Sequence, residues 1–330
     1  MDQPKNTEGN FPSYRDLLTE AGRHIASRKW LLMRRTLLMV WPGLVAVVAW
    51  YILEILARSG NGEVTPEFAL FAPTLISVFI IVGILFGAPY YTIMSGIFKI
   101  EKTVWIDSFF DGRNLDSKTS WRIARRLFWK YVFFELQILF RYYGILVLVL
   151  CAVFVAAGAG GWLDAKYDFK SISPQVIGGM IVAATIALYA WVYYLRTRLR
   201  YADFLFLDRV SSSGVRYADL FREMEELNQV RKREAFIKAL VANVGSDTLK
   251  GITRILARDI AIGMGQLGAG GKVAGAVIGT YAQELSRQAI DLGNIAARYL
   301  MYRVARKIVY GSEQEINEYL YRLGNDKLMS

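Results

Sequence analysis

Four stretches of this chain lose the polar positions that punctuate the rest: residues 36–57, 69–98, 144–162 and 175–195. A bilayer core of about 30 Å takes roughly 20 apolar helical residues to cross, and each run is about that long. The pattern predicts four transmembrane helices. Two flanking stretches alternate apolar and basic positions at helical spacing. In 14–35, Leu17, Ala21 and Ile25 recur between Arg15, Arg23, Arg28 and Lys29, and Ser13 with Asp16 reads as an N-cap with an acid in the first turn. In 121–137, Trp121, Leu127, Phe128, Trp129, Phe133 and Phe134 sit among Arg122, Arg125, Arg126 and Lys130. Both stretches are predicted as amphipathic helices in the inner interface, with Trp30 near the headgroups; for 14–35 the alternative is an ordinary amphipathic helix packed on the C-terminal domain.

After residue 199 the pattern becomes that of ordinary charged helices. A helix is predicted over 219–243, its Glu223, Glu225 and Glu226 ahead of Arg231, Lys232 and Arg233 in the order that suits helix polarity. A second is predicted to open at Ser246-Asp247, a third to run over 281–310 to Gly311, and a last to start from the Ser312/Glu315 capping box. The expected fold is all-α: a four-span bundle with interfacial amphipathic helices. Its division is a polar tail 1–13, a membrane domain 14–199 and a cytosolic helical domain 200–330.

Charge orients this arrangement. Lys and Arg crowd the segments before the first run, between the second and third, and after the fourth; the two remaining loops are poor in net positive charge. Basic short loops stay cytoplasmic, so both termini are expected in the cytoplasm of an inner (plasma) membrane. The net charge of +11 and pI near 9.6 then point to anionic lipid headgroups as partner, not to nucleic acid. About 35 residues precede the first run, so it reads as an uncleaved signal-anchor.

Irregularities within the runs mark candidate features. Pro42-Gly43 should bend the first span, and Pro89 should kink the second near 86–90. Glu135 and Arg141 become intramembrane polar groups if the third span starts early, which makes them candidate pathway residues. Gly179, Ala183 and Ala187 form a small-residue stripe suited to close helix packing. The segment 260–282 is apolar and glycine-rich, with Gly271, Gly275 and Gly279 at four-residue spacing and Lys272 near its middle. The charge rule places this segment in the cytosol as a tightly packed helix pair; a re-entrant or interfacial hairpin and a fifth span are the alternatives.

The chemistry of the chain is sparse. One histidine, His24, and one cysteine, Cys151, exclude the usual zinc sites and make Cys–His or Ser–His–Asp catalysis implausible. His24 beside Arg23 is expected to be a solvated surface residue. Cys151 reads as a packing residue. Asp107, Asp111 and Asp116 lack the loop pattern of a calcium site, and Gly263, Gly265 and Gly268 follow no strand, so no metal, nucleotide or other cofactor is expected.

Three segments carry a resemblance. They are LLTEAGRHIASRKWLL at 17–32, APYYTIMSGIFKIEKTVWIDSFFDG at 88–112 and RYADFLFLDRVSSSGVRYADLFREM at 200–224. Taken in order, they resemble an uncharacterised family of multi-pass bacterial membrane proteins related to the membrane domain fused to some glycerophosphodiester phosphodiesterases. The resemblance spans 14–224, implies a helical membrane bundle, and brings no catalytic residues; this chain departs from it in span number and in its glycine-rich tail. The function expected is that of a non-enzymatic membrane protein that anchors or organises partners at the cytoplasmic face, or supports envelope maintenance. A transporter or channel subunit working as an oligomer, and a membrane-active role for the glycine-rich segment, are the alternatives. A homo-oligomer or another membrane protein is the expected protein partner.

Overall fold

A computed structural model describes residues 12–57, 66–110, 115–144, 148, 174–209 and 217–310. The third apolar run apart from Gly144 and Leu148, the Asp111-Gly112 turn, Gly311 and the Ser312/Glu315 box lie outside the described residues. Every element among them is helical. The helices are α1 (Tyr14–Ser27), α2 (Lys29–Ala57), α3 (Pro66–Val82), α4 (Ala88–Phe110), α5 (Ser117–Ile138), α6 (Pro174–Arg198), α7 (Ala202–Arg209), α8 (Tyr217–Gln229), α9 (Lys232–Gly265) and α10 (Ala269–Tyr310).

Local chemistry accounts for many of the boundaries. Ser13 and Asp16 form a reciprocal capping box: the Ser13 amide donates to Asp16 Oδ2 at 3.0 Å and the Asp16 amide donates to Ser13 Oγ at 3.2 Å. Asp116 caps α5 by accepting from the Thr119 amide at 2.9 Å. Pro66 and Pro174 occupy first-turn positions, where a missing N–H is harmless. The interfacial stretch 14–35 divides at Arg28, so its second half is the start of α2 and runs straight into the apolar run.

The kink expected near Pro89 takes the form of a π-helical turn, Gly83–Gly87, inside one continuous helix. The Ala88 amide reaches back to the Gly83 carbonyl. A widened turn gives the Pro89 ring room against the carbonyl four residues earlier. Two helical stretches, Lys29–Glu54 and Leu70–Phe110, are long and apolar enough to cross a membrane. The second covers 41 residues, about 60 Å at 1.5 Å per residue, twice a bilayer core.

Two boundaries in the last third differ from the sequence reading. No helix starts at Ser246-Asp247; both lie inside α9, where Ser246 is buried and Asp247 pairs with Lys250 at 3.7 Å. Burial of that face outweighs the local capping tendency of Ser and Asp. The break falls instead between α8 and α9, where Arg231 takes φ 41°. The helix expected from 281 starts at Ala269.

Contacts between residues divide the chain into two compact units. One compact unit comprises Met1–Phe128 with Val241–Ser330, the other Trp129–Leu240. In the first, α10 packs along α1, α2 and α4. Leu17, Ala297 and Leu300 cluster together with Phe110 against them, and Trp105, Ile106, Ile123 and Ala124 are buried within the same unit. In the second, Phe134 stacks on Phe206 and Phe221 at 5.1 and 5.9 Å, and the buried Arg200 guanidinium lies over the Tyr201 ring. Such ring pairs add about 0.5–1.5 kcal/mol each beyond burial.

Candidate functional site

The densest buried polar chemistry in the first unit lies where α10 meets α2 and α4. Glu101, on the α4 face turned inward, is completely buried and takes two hydrogen bonds from Arg35, Nε to Oε2 and Nη2 to Oε1, both at 3.0 Å. A guanidinium–carboxylate fork is the geometry that best compensates two desolvated charges. Ser120 Oγ donates to Glu101 at 3.1 Å and accepts from Trp105 Nε1 at 2.7 Å, while the Arg35 guanidinium stacks 4.0 Å from the Trp121 ring. Helices α2, α4 and α5 are thereby locked by one ion pair.

One residue on, Lys102 points to α10. Its ammonium donates to Gln288 Oε1 at 2.7 Å and lies 3.9 Å from Asp291, which also pairs with Lys250 of α9 at 2.5 Å. Burial pushes the Asp291 carboxyl up, but the Lys102 and Lys250 ammonium groups outweigh it and hold the group below the usual range. Gln288 donates in turn to Glu284, Glu284 accepts from the Tyr91 hydroxyl at 3.2 Å, and Arg287 donates to that hydroxyl at 2.5 Å. Further along, Tyr299 donates to Asp107, and Arg303 donates to the Phe110 carbonyl at 3.2 Å. This ladder ties α10 to α4 at points from Glu284 to Arg303. It turns its charged groups on one another, and nothing in it resembles an activated nucleophile or an acid–base pair open to a substrate. Among the described residues no group of three or more His, Cys, Asp and Glu is placed to hold a metal.

His24 is not a solvated surface residue. It is only 3% exposed, with its ring 4.3 Å from Phe109 and 5.3 Å from Phe110, and Nε2 has no hydrogen-bond partner. Burial, then the charges of Arg23 and Arg28, lower its pKa to about 4. No local signal announces this burial, because the rings that cover His24 come from a helix some 85 residues away.

The other sequence candidates are placed as follows. In the second unit Glu135 accepts from the Tyr131 hydroxyl, and Asp203 lies 2.6 Å from the same oxygen. A phenol has one hydrogen, so Tyr131 donates to one carboxylate at a time; burial and the two acids keep it protonated far above its ordinary range. Arg141 lies over the Phe221 ring at 4.8 Å and near Tyr142 at 6.0 Å, so the two candidate pathway groups are held by different partners. Among the described residues nothing lies within 4 Å of where a Cβ at Gly179 would stand, and Ala183 and Ala187 are exposed. Gly271, Gly275 and Gly279 instead line the closest approach of α10 to α9. A Cβ at Gly275 would meet the Ala261 carbonyl oxygen at 2.7 Å, one at Gly279 the Ala257 oxygen at 2.9 Å, and one at Gly271 would collide with the Met264 oxygen.

No protein-family model, curated protein or solved structure matches the chain. The resemblance over 14–224 therefore rests on the quoted residues alone.

Proposed function

We propose that this chain is a non-enzymatic integral membrane protein of the inner membrane that organises protein partners at the cytoplasmic face. The reading takes four spans with both termini cytoplasmic, as the charge pattern suggests. The observation that carries it is the outer face of α9. Val241, Val244 and Ile252 stand exposed at i, i+3, i+11 spacing, on one stripe of the helix, the arrangement by which one helix offers an apolar seam to another. From residue 241 on, α9 belongs to the unit in which α10 is laced to both candidate span helices, so a partner seated there is held at a fixed place on the membrane. The buried charges of that unit support a mechanical role, because they pair helix to helix. A photo-crosslinking residue at Val244 in native membranes tests the proposal. A discrete protein adduct, to a second copy or another protein, that is lost in Val241→Glu supports it. Adducts to lipid alone, or adducts as abundant in Val241→Glu as in the parent, refute it.

A transporter or channel subunit is the second reading, favoured by the cluster of buried Tyr131 with half-buried Asp203 and Glu135. It requires that Glu135→Gln abolish flux in reconstituted vesicles while leaving the protein inserted and folded.

A further inference from the structure

The hairpin of α9 and α10 has an apolar tip whose depth follows from the register of α10. Leu17 packs with Ala297 and Leu300, Ala21 and Ile25 meet Gly293, and the Met33 carbonyl accepts from the Tyr281 hydroxyl at 3.0 Å. Each step forward along α1 and α2 is matched by a step back along α10, so the helices are antiparallel. Against α4 the order is the reverse. Tyr91 meets Glu284 and Arg287, Lys102 meets Gln288, Asp107 meets Tyr299 and Phe110 meets Arg303. Both series carry the first turns of α10 toward the apolar lengths of α2 and α3. Twelve residues separate Tyr281 from Ala269, which places the tip about 18 Å beyond the level of Met33. The apolar run of α2 starts at Thr36.

The surface of that hairpin suits lipid. Ile255, Leu256, Ile260 and Ile262 are all about half exposed or more, and Leu267 at the turn is 78% exposed, a patch that water does not favour. Part of the turn's backbone is paired internally: the amides of Gln266, Leu267 and Lys272 donate to the carbonyls of Gly263, Met264 and Gly268 at 3.3, 3.0 and 3.0 Å, which lowers the cost of entering an apolar medium. The pairing of Gly279 with Ala257 puts Arg254, Arg258 and Asp259 at the base of the hairpin, at the level where α2 leaves its basic segment. Lys272 alone is deep. An ammonium there resists passage through the core, and a reach of about 18 Å falls short of the roughly 30 Å a crossing needs.

We infer that the tip of the α9–α10 hairpin, residues 260–275, is a re-entrant element that enters the bilayer from the cytoplasmic side and contacts acyl chains beside α2. The inference rests on α2 and α3–α4 being membrane spans, and its test separates the two. The full chain, with Cys151→Ser, is spin-labelled singly at Leu267, Ile262, Asp247, Val45 or Ile84 and reconstituted in phosphatidylcholine–phosphatidylglycerol vesicles. Collision with oxygen is compared with collision with a water-soluble nickel complex. Oxygen dominates at Leu267 and Ile262 as at Val45 and Ile84, while nickel dominates at Asp247. Nickel dominating at Leu267 and Ile262 with Val45 and Ile84 still in lipid overturns the re-entrant hairpin and leaves the spans. Nickel dominating at Val45 and Ile84 overturns the spans themselves. Reaction of Leu267→Cys with an impermeant maleimide from the outer side overturns re-entrance in favour of a crossing.

Discussion

The tight seam between α9 and α10 makes a quantitative claim about single methyl groups. In Gly275→Ala the new Cβ would stand 2.7 Å from the Ala261 carbonyl oxygen and 3.2 Å from Ala261 Cα. Both are backbone atoms that no rotamer change can move, so the helices must separate and loosen the contacts on either side. Overpacking of this kind costs about 1–3 kcal/mol. The better helix propensity of alanine returns about 1 kcal/mol, leaving a net loss on the order of 1 kcal/mol. Gly251→Ala is the control. It lies in the interior of α9 with nothing within 4 Å, so only the propensity gain of about 1 kcal/mol remains. Unfolding followed by far-UV circular dichroism in detergent, with denaturant midpoints compared at constant detergent, ranks the variants. The expected order is Gly251→Ala above the parent and Gly275→Ala and Gly279→Ala below it. Gly275→Ala as stable as Gly251→Ala would refute the close approach.

Other perturbations probe the remaining contacts. Breaking the buried Arg35–Glu101 fork by Glu101→Leu leaves Arg35 uncompensated and should cost about 3–5 kcal/mol, whereas Arg35→Met with Glu101→Leu should recover most of it; equal losses in the two would refute the pairing. Gln288→Leu strips Lys102 of its 2.7 Å acceptor and should lower stability by about 1–3 kcal/mol, with a measurable coupling to Lys102→Met in a double-mutant cycle. The pH dependence of His24 has a definite sign. Its folded pKa, about 4, lies below the unfolded value near 6.5, so the unfolded chain binds the extra proton and stability falls as pH drops from about 6.5 to 4, by a total on the order of 3 kcal/mol. His24→Gln should flatten that part of the profile, and an unchanged profile would sink the assignment.

Local chemistry in the sequence was enough to place the helix end at Ser13 and the irregularity near Pro89, because each depends on one or two side chains acting on nearby backbone; the starts at Pro66, Asp116 and Pro174 rest on equally local chemistry but were not expected there. The apolar runs that fall on described residues are helical for the same kind of reason. What sequence reasoning missed depends on distant partners. The burial of His24 needs Phe109 and Phe110, and the fate of Lys102 needs Gln288 and Asp291. The return of α10 to α1 was one of two readings open for 14–35, and only contacts between segments far apart in sequence decide it. Ser246-Asp247 shows the converse: a good local capping signal overridden by packing on a buried face. The glycine spacing at 271, 275 and 279 was legible as a packing stripe, but its partner, the Ala257/Ala261 face of α9, was not.

The central claim is that α10 returns to the N-terminal helix on the cytoplasmic side of two membrane-crossing helices. Single cysteines at Leu18 of α1, Lys307 of α10 and Glu54 at the far end of α2, each in a Cys151→Ser chain, measure it through sided labelling with an impermeant maleimide. The account predicts that Leu18→Cys and Lys307→Cys react only from the cytoplasmic side and Glu54→Cys only from the other. Reaction of Leu18→Cys and Lys307→Cys from opposite sides, or of all three from one, would contradict it.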